Sequence, residues 1–338
     1  LRRFQRPRPG VEVGMGDDAA VLVLPAGSGP GPGAGGGHAP GPAPAPGPAG
    51  GRYSLLTTDM LVEGVHFLPD TPPYDLGRRA AAVNVSDVAA MGGWPVAAVV
   101  SVGFPPDLPV AYVEELYRGL ADELAAWDAT LVGGDTVRAP VRVINLALLG
   151  EVEKDRLVLR RGALVGDAVG VTGTLGDAAA GLEVLLGRAQ VPPGVRERVV
   201  ARHLRPRPRV REARELVGLV TAMMDLSDGL ASDLHRLCEA SGVGARIWAE
   251  RLPIAEATRQ VARAAGRDPL ELALHGGDDY ELLFTTPRRS WPGGVLPGTG
   301  TPVTLVGEIV PASEGICLIL PGGEQVPLAG GYQHFRPA

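Results

Sequence analysis

The chain has 338 residues, 45% of them hydrophobic, with no uninterrupted apolar run of transmembrane length; that is enough for two domains with their own cores and excludes a membrane-spanning helix. A formal charge of −6 argues against a nucleic-acid partner, because binding a phosphate backbone needs a basic footprint. Lys154 is the only lysine, so a glycine-rich phosphate loop ending in lysine is absent; the two distant cysteines, Cys238 and Cys317, and the lack of a visible signal peptide fit a reducing cytoplasm.

Gly14-Met15-Gly16-Asp17-Asp18 forms a glycine turn with paired acids that leads into a strand through Leu24. Residues 26–51 are almost wholly Gly, Pro and Ala; they cannot bury enough apolar area to order themselves and read as a flexible surface loop within a hairpin. Tyr53 to Asp59 resumes as a strand, and its polar end, Thr57-Thr58-Asp59, offers oxygen donors suited to a hard cation such as Mg²⁺. His66 follows in Glu63-Gly64-Val65-His66-Phe67; a lone histidine is more often structural than chemical, and its surroundings in sequence leave it unassigned. Asp75 to Met91 reads as an Ala-rich helix closed by Gly92-Gly93, with Asn84 and Asp87 sharing a face at i and i+3. On such a helix Asp87 is either solvated or matched by a partner.

Val96 to Phe104 reads as an apolar strand, Val110 to Trp127 as an amphipathic helix, Thr130 to Thr136 as a short strand ending in Gly133-Gly134-Asp135-Thr136, and Val141 to Leu149 as another strand. Residues 1–150 therefore describe one α/β unit, and residues 151–338 start a second. In the second, Arg160-Arg161-Gly162 precedes a strand, a turn at Gly173 to Gly176 and a helix from Asp177 to Leu186. The N–H groups of that turn could cradle an anion, and close packing of helix on strand explains its glycines equally well. Residues 192–211 are rich in proline and arginine and read as a solvated surface.

Met223-Met224-Asp225-Leu226-Ser227-Asp228-Gly229-Leu230 is the most informative stretch, an apolar strand that ends in two carboxylates and passes at once into a helix. Leu230, Leu234, Leu237 and Cys238 fall on one helical face, and Gly242 is the expected stop. Ser227 or Asp228 could simply cap the helix; alternatively, two acids beside a helix N-terminus, itself an anion site, imply cations between them. Repetition favours the second: Gly16-Asp17-Asp18, Thr57-Thr58-Asp59, Asn84-Val85-Ser86-Asp87, Gly133-Gly134-Asp135-Thr136 and Gly276-Gly277-Asp278-Asp279 are five more places where acids meet small polar residues beside an apolar segment. After the last of these, Tyr280 to Thr285 feeds a strand, and Gly330-Gly331-Tyr332 opens an aromatic tail.

This ordered set of motifs, from about Gly14 to the C-terminus, resembles the thiamine-monophosphate kinases, of the superfamily that includes aminoimidazole ribonucleotide synthetase. The resemblance implies a two-domain α/β fold whose N-terminal sheets join into a barrel across a homodimer, with a mixed α/β C-terminal domain. It implies phosphorylation of thiamine monophosphate to thiamine diphosphate, with ATP as co-substrate and several Mg²⁺ ions. Carried over by motif, Asp18, Thr57, Thr58, Asp59, Asp87 and Asp135 would hold Mg²⁺ from the first unit, and Asp225 and Asp228 from the second. Gly134, Asp135, Arg160 and Ser227 would contact ATP, and His66, Asp278 and Tyr332 would contact thiamine monophosphate. Two features depart from the family: the segment before Gly-Asp-Asp is short and arginine-rich, and position 278 is Asp where Glu is frequent. The rival functions within the fold are a purine-pathway synthetase that activates an amide oxygen and, from another class, a non-catalytic nucleotide- or metal-binding module.

Overall fold

The computed structural model describes residues 10–13, 16–23, 51–288 and 294–330. Nearly all of the Gly/Pro segment and Tyr332 lie outside the described residues. The first unit runs β1 (Val11–Val13), β2 (Ala20–Leu22), β3 (Arg52–Val62), α1 (Pro73–Ala90), β4 (Trp94–Phe104), α2 (Val110–Ala125), β5 (Thr130–Arg138) and β6 (Val143–Glu153). These strands form one six-stranded sheet in the order β1-β2-β3-β6-β4-β5, antiparallel except for the β4–β5 pair.

Strand alternation decides what each face of this sheet does. On β6 every even-numbered residue from Ile144 to Val152 is buried, and Leu146 and Leu148 join Val100 of β4 against Leu116, Leu120 and Leu124 of α2 and Val85 and Val88 of α1. The opposite face carries exposed apolar side chains, among them Leu56, Met60, Val96 and Val99. The helices α1 and α2 cross at a pair of glycines. A Cβ on Gly77 would stand 2.0 Å from the Leu116 carbonyl oxygen, and one on Gly119 would stand 2.1 Å from that of Tyr74, so neither position accepts a side chain at this separation.

The second unit runs β7 (Asp167–Thr172), α3 (Asp177–Leu185), α4 (Pro193–Leu204), α5 (Val210–Leu216), β8 (Ala222–Asp225), α6 (Leu230–Ser241), β9 (Val243–Trp248), α7 (Glu256–Ala265), α8 (Pro269–His275), β10 (Leu282–Pro287), β11 (Val303–Pro311), β12 (Ile316–Ile319) and β13 (Gln325–Pro327). Its mixed seven-stranded sheet has the order β13-β12-β9-β11-β7-β10-β8. The predicted face of α6, Leu230, Leu234, Leu237 and Cys238, packs into the core with Val169, Val171 and Leu283, and Gly242 ends the helix in a left-handed conformation (φ 68°).

Two expectations are corrected. Residues 192–211 are a solvated surface only in part: they hold α4 and the start of α5, and while Arg196, Arg198, Arg205, Arg207 and Arg211 are exposed, Arg202 and Arg209 both reach the fully buried Glu281, with Arg209 Nε donating to its Oε2 at 2.7 Å and Arg202 Nη2 to its Oε1 at 2.6 Å. A buried carboxylate needs such partners, so these two arginines are structural. The Gly133-Gly134-Asp135-Thr136 segment does not end a strand but lies inside β5, which continues to Arg138 along β4. At the turn from Gly173 to Gly176 close packing accounts for two of the glycines, since a Cβ on Gly173 would stand 2.3 Å from Glu281 Oε1 and one on Gly176 2.9 Å from Ala273 N; the Gly176 N–H, with that of Ala178 in α3, donates to the buried carboxyl of Asp279 at 2.6 and 3.2 Å.

Candidate active site

Because β2 pairs with β3 only as far as Leu56, one edge of β3 beyond that point is left for other partners. The helix α1 supplies them. Asn84 Oδ1 accepts from the Asp59 N–H at 3.1 Å, and Asp87 Oδ2 accepts from the Thr57 hydroxyl at 2.5 Å. Alternation sends Thr57 towards α1 and Thr58 to the opposite face, where its hydroxyl donates to the Leu146 carbonyl at 3.0 Å. From the second unit β8 ends in Asp225, whose Oδ2 accepts from the Ser86 hydroxyl at 2.6 Å. Asp18, in the turn before β2, closes the group: one oxygen each of Asp18, Asp87 and Asp225 lie within 4.8 Å of one another.

These carboxyls disfavour their own charge. Burial raises the pKa of Asp59 to about 6, with Asp225 and Asp228 adding repulsion, and holds Asp18 and Asp87 well above the ordinary carboxylate value. Asp225 is also raised by burial, against the lowering effect of the Ser86 hydrogen bond and Arg160. Arg160 pairs with Asp18 Oδ1, and its backbone N–H meets the Asp17 carboxylate at 3.2 Å. Asp18 Oδ2 is buried and has no partner among the described residues. Mutually repelling, incompletely satisfied oxygens, with no His or Cys among them, fit a hard divalent cation such as Mg²⁺.

The carboxylates continue into a cleft of about 790 Å³, lined from Asp59, Ser227 and Asp228 to His66, Arg79, His203, Asp278 and Tyr280. The N-cap of α6 is Gly229 (φ 93°), so neither Ser227 nor Asp228 serves as the cap, and both line the cleft. Asp228 pairs with Arg236, and its backbone N–H donates to the buried Asp233 at 3.0 Å. His66 Nδ1 accepts from the Val62 N–H at 3.1 Å, a bond that requires a ring unprotonated at that nitrogen.

Gly134 and Asp135 stand apart from this group. Gly134 is in register with Asp59 through Val100 and Leu146, three strand spacings away, which is roughly 14 Å. Both are exposed on the sheet's edge strand.

With this geometry in hand, the comparisons with known proteins are specific. The N-terminal domain of the AIR synthase related proteins matches residues 16–152, and their C-terminal domain matches residues 165–320. A thiamine-monophosphate kinase of Escherichia coli (strain K12) is 39% identical over 337 residues, covering 98% of this chain and 95% of its own length. A second, from Aquifex aeolicus (strain VF5), is 40% identical over 281 residues, covering 83% and 88%. The chain belongs to the thiamine-monophosphate kinase family. A solved structure described as "AaThiL complexed with AMPPCP and TMP" superposes with a TM-score of 0.79 at 36% identity, covering 95% of this chain and 92% of that one. The two-domain α/β fold with mixed sheets is that of the AIR synthase related proteins.

Within this thiamine-monophosphate kinase family member, sequence reasoning missed Arg79, Ser86, Asp233 and Arg236. One signal was available. Asp75, Arg79 and Ser86 are polar residues spaced by four and seven along an Ala-rich helix, hence on one face. That face meets the second unit through Arg205, Asp278 and Asp225 respectively.

Proposed function

We propose that the protein transfers the γ-phosphoryl group of ATP to the phosphate of thiamine monophosphate, giving thiamine diphosphate and ADP. The observation that carries this reading is the meeting of Asp18, Asp59, Asp87 and Asp225, from both units, beside a cleft sized for a small molecule. The relative complexed with AMPPCP, an ATP analogue, and TMP supports the choice of substrates.

The acceptor is a phosphate oxygen, anionic near neutral pH, so no general base is required. Bringing two polyanions into line is the obstacle, and with a loose transition state, positioning and charge neutralisation do most of the work. The acceptor oxygen bonds to the γ-phosphorus as the bond to the ADP oxygen breaks, in line and without a phosphoenzyme. Asp18, Asp59, Asp87, Asp225 and Asp228, with the Thr57 hydroxyl, would hold Mg²⁺, which when bound supplies the neutralisation that a phosphate-loop lysine gives elsewhere. Arg160 and Ser227 are the nucleotide contacts on this side, and His66 and Asp278 are the thiamine monophosphate contacts in the cleft. The roles of Thr58, Gly134, Asp135 and Tyr332 rest on motif alone.

A homodimer is part of the same reading. What supports it is the edge strand β5, exposed at every residue except Leu131, together with the open apolar face of Leu56, Met60, Val99, Val132 and Val137. The boundary near residue 150, between an ATP- and metal-binding first domain and a second, is likewise supported by the division into two sheets. A cytoplasmic setting is supported by the two free thiols, Cys238 and Cys317; among the described residues no helix is long and apolar enough to cross a membrane.

A coupled assay tests the activity: ADP formation should depend on thiamine monophosphate and on Mg²⁺, and no stimulation by thiamine monophosphate would sink the kinase reading. Radiolabelled phosphate trapped on the protein during turnover would refute direct transfer. Light scattering should give twice the chain mass, and Val99→Glu should halve it.

A further inference from the structure

Arg79 lies within α1 and is only 2% exposed, yet both of its side-chain partners belong to the second unit. Its Nη2 donates to Asp278 Oδ2 at 2.8 Å and its Nη1 to His203 Nε2 at 3.2 Å; its Nε has no partner among the described residues. All three side chains line the cleft. A guanidinium this deeply buried is costly unless its pairing is secure. His203 secures it by remaining a neutral acceptor: burial, and then the charge of Arg79 itself, depress its pKa to about 4.

The partner carboxylate sits on a backbone that would not choose its own conformation. Asp278 and Tyr280 have φ of 60° and 50°, a left-handed region costing roughly 1–2 kcal/mol per non-glycine residue. Neighbouring contacts impose it. Asp278 N donates to Ser227 O at 2.8 Å and Tyr280 N to Leu226 O at 2.9 Å. The alternate residues turn inward, Asp279 onto the start of α3 and Glu281 onto Arg202 and Arg209. Asp278 and Tyr280 are thereby left facing the cleft, where the Tyr280 hydroxyl donates to Asp278 Oδ1 at 3.3 Å. Each oxygen of Asp278 therefore has its own donor, one from the strained loop and one from α1 in the opposite unit.

We infer that Arg79 is a positioning residue for substrate recognition, holding the Asp278 carboxylate towards the amine-bearing ring of thiamine monophosphate. The inference rests on the kinase reading above. Charge sets the orientation: phosphate suits the side of the cleft where Asp59 and Asp228 would hold cations, whereas the Asp278 carboxylate, a third exposed and offering lone pairs beyond those taken by Arg79 and Tyr280, repels phosphate and accepts from an amino group.

The test is a double-mutant cycle on the full chain, read as KM and kcat for each substrate. Arg79→Met, of similar length but uncharged, should raise KM for thiamine monophosphate at least tenfold while kcat and KM for ATP change less than threefold. Asp278→Asn should raise the same KM, and the double variant should be no worse than the worse single one. An unchanged KM for thiamine monophosphate in Arg79→Met, or effects that multiply in the double variant, overturns the inference. Should Arg79→Met not fold, Arg79→Lys, whose single ammonium cannot serve both partners, replaces it in the same cycle with the same criteria. Wild-type protein lacking any thiamine monophosphate-dependent ADP formation would instead overturn the kinase reading itself.

Discussion

Asp59→Asn should make the metal-free protein more stable and the working enzyme inactive. In the unfolded chain this carboxyl ionises near 3.8, and in the folded protein only near 6, chiefly because burial penalises the charge and Asp225 repels it. Between those pH values the folded state holds the extra proton, so the stability it contributes is present below 3.8 and lost as pH rises through 6. The difference is worth about 3 kcal/mol at most, at 1.36 kcal/mol per pH unit, and the amide removes it. Spread over 338 residues unfolding together, it corresponds to a rise in Tm of about 4 °C. Mg²⁺ should do for the wild type what the amide does for the variant. At a hundred times its Kd, the ion stabilises the fold by about 2.7 kcal/mol, a comparable shift. Thermal unfolding at pH 7.5, with and without Mg²⁺, reads both effects, and the coupled ADP assay reads activity. A metal-free variant that melts below the wild type, or that gains as much from Mg²⁺ as the wild type does, refutes the assignment of Asp59 as a buried, metal-awaiting carboxylate.

Glu281→Gln removes the charge shared by two largely buried arginines and should cost about 3–5 kcal/mol in denaturant unfolding; a loss under about 1 kcal/mol would show that Arg202 and Arg209 find water instead. Gly119→Ala gains roughly 1 kcal/mol of helix propensity but places a methyl 2.1 Å from the Tyr74 carbonyl oxygen, so it should be destabilising by about 2 kcal/mol, and a stabilised variant would contradict the helix crossing. His203 contributes in the opposite pH sense to Asp59. Its unfolded ring protonates near 6.5 and its folded ring near 4, so the stability it contributes is present above 6.5 and lost as pH falls towards 4, by up to about 3 kcal/mol. The urea midpoints of wild type and His203→Gln should therefore converge between pH 7.5 and pH 5; a gap independent of pH counts against a neutral buried ring.

What could be read from the chain divides along physical lines. The buried face of α6 and its Gly242 stop were legible because helical period and a left-handed terminus are local properties. The acids at turns were legible as a group because repetition is visible without knowing the fold. Thr57 and Thr58 could not be separated while the strand was taken to end beside them; once β3 runs on to Val62, alternation places them on opposite faces. Arg202 and Arg209 looked solvated because their partner Glu281 lies 79 and 72 residues away, a distance that composition cannot bridge. The remoteness of Asp135 from Asp59 follows from strand order, which no local pattern encodes.

The helix α1 has a consequence for how such an enzyme would breathe. It is locked to α2 by the paired glycines and reaches the second unit through Asp75, Arg79 and Ser86. Any swing that widens the cleft by moving the second unit off this rod would separate Asp225 from Asp87 and Asp278 from Arg79 in one stroke. Loosening the ion cage and letting go of the product would then be a single movement rather than two successive events.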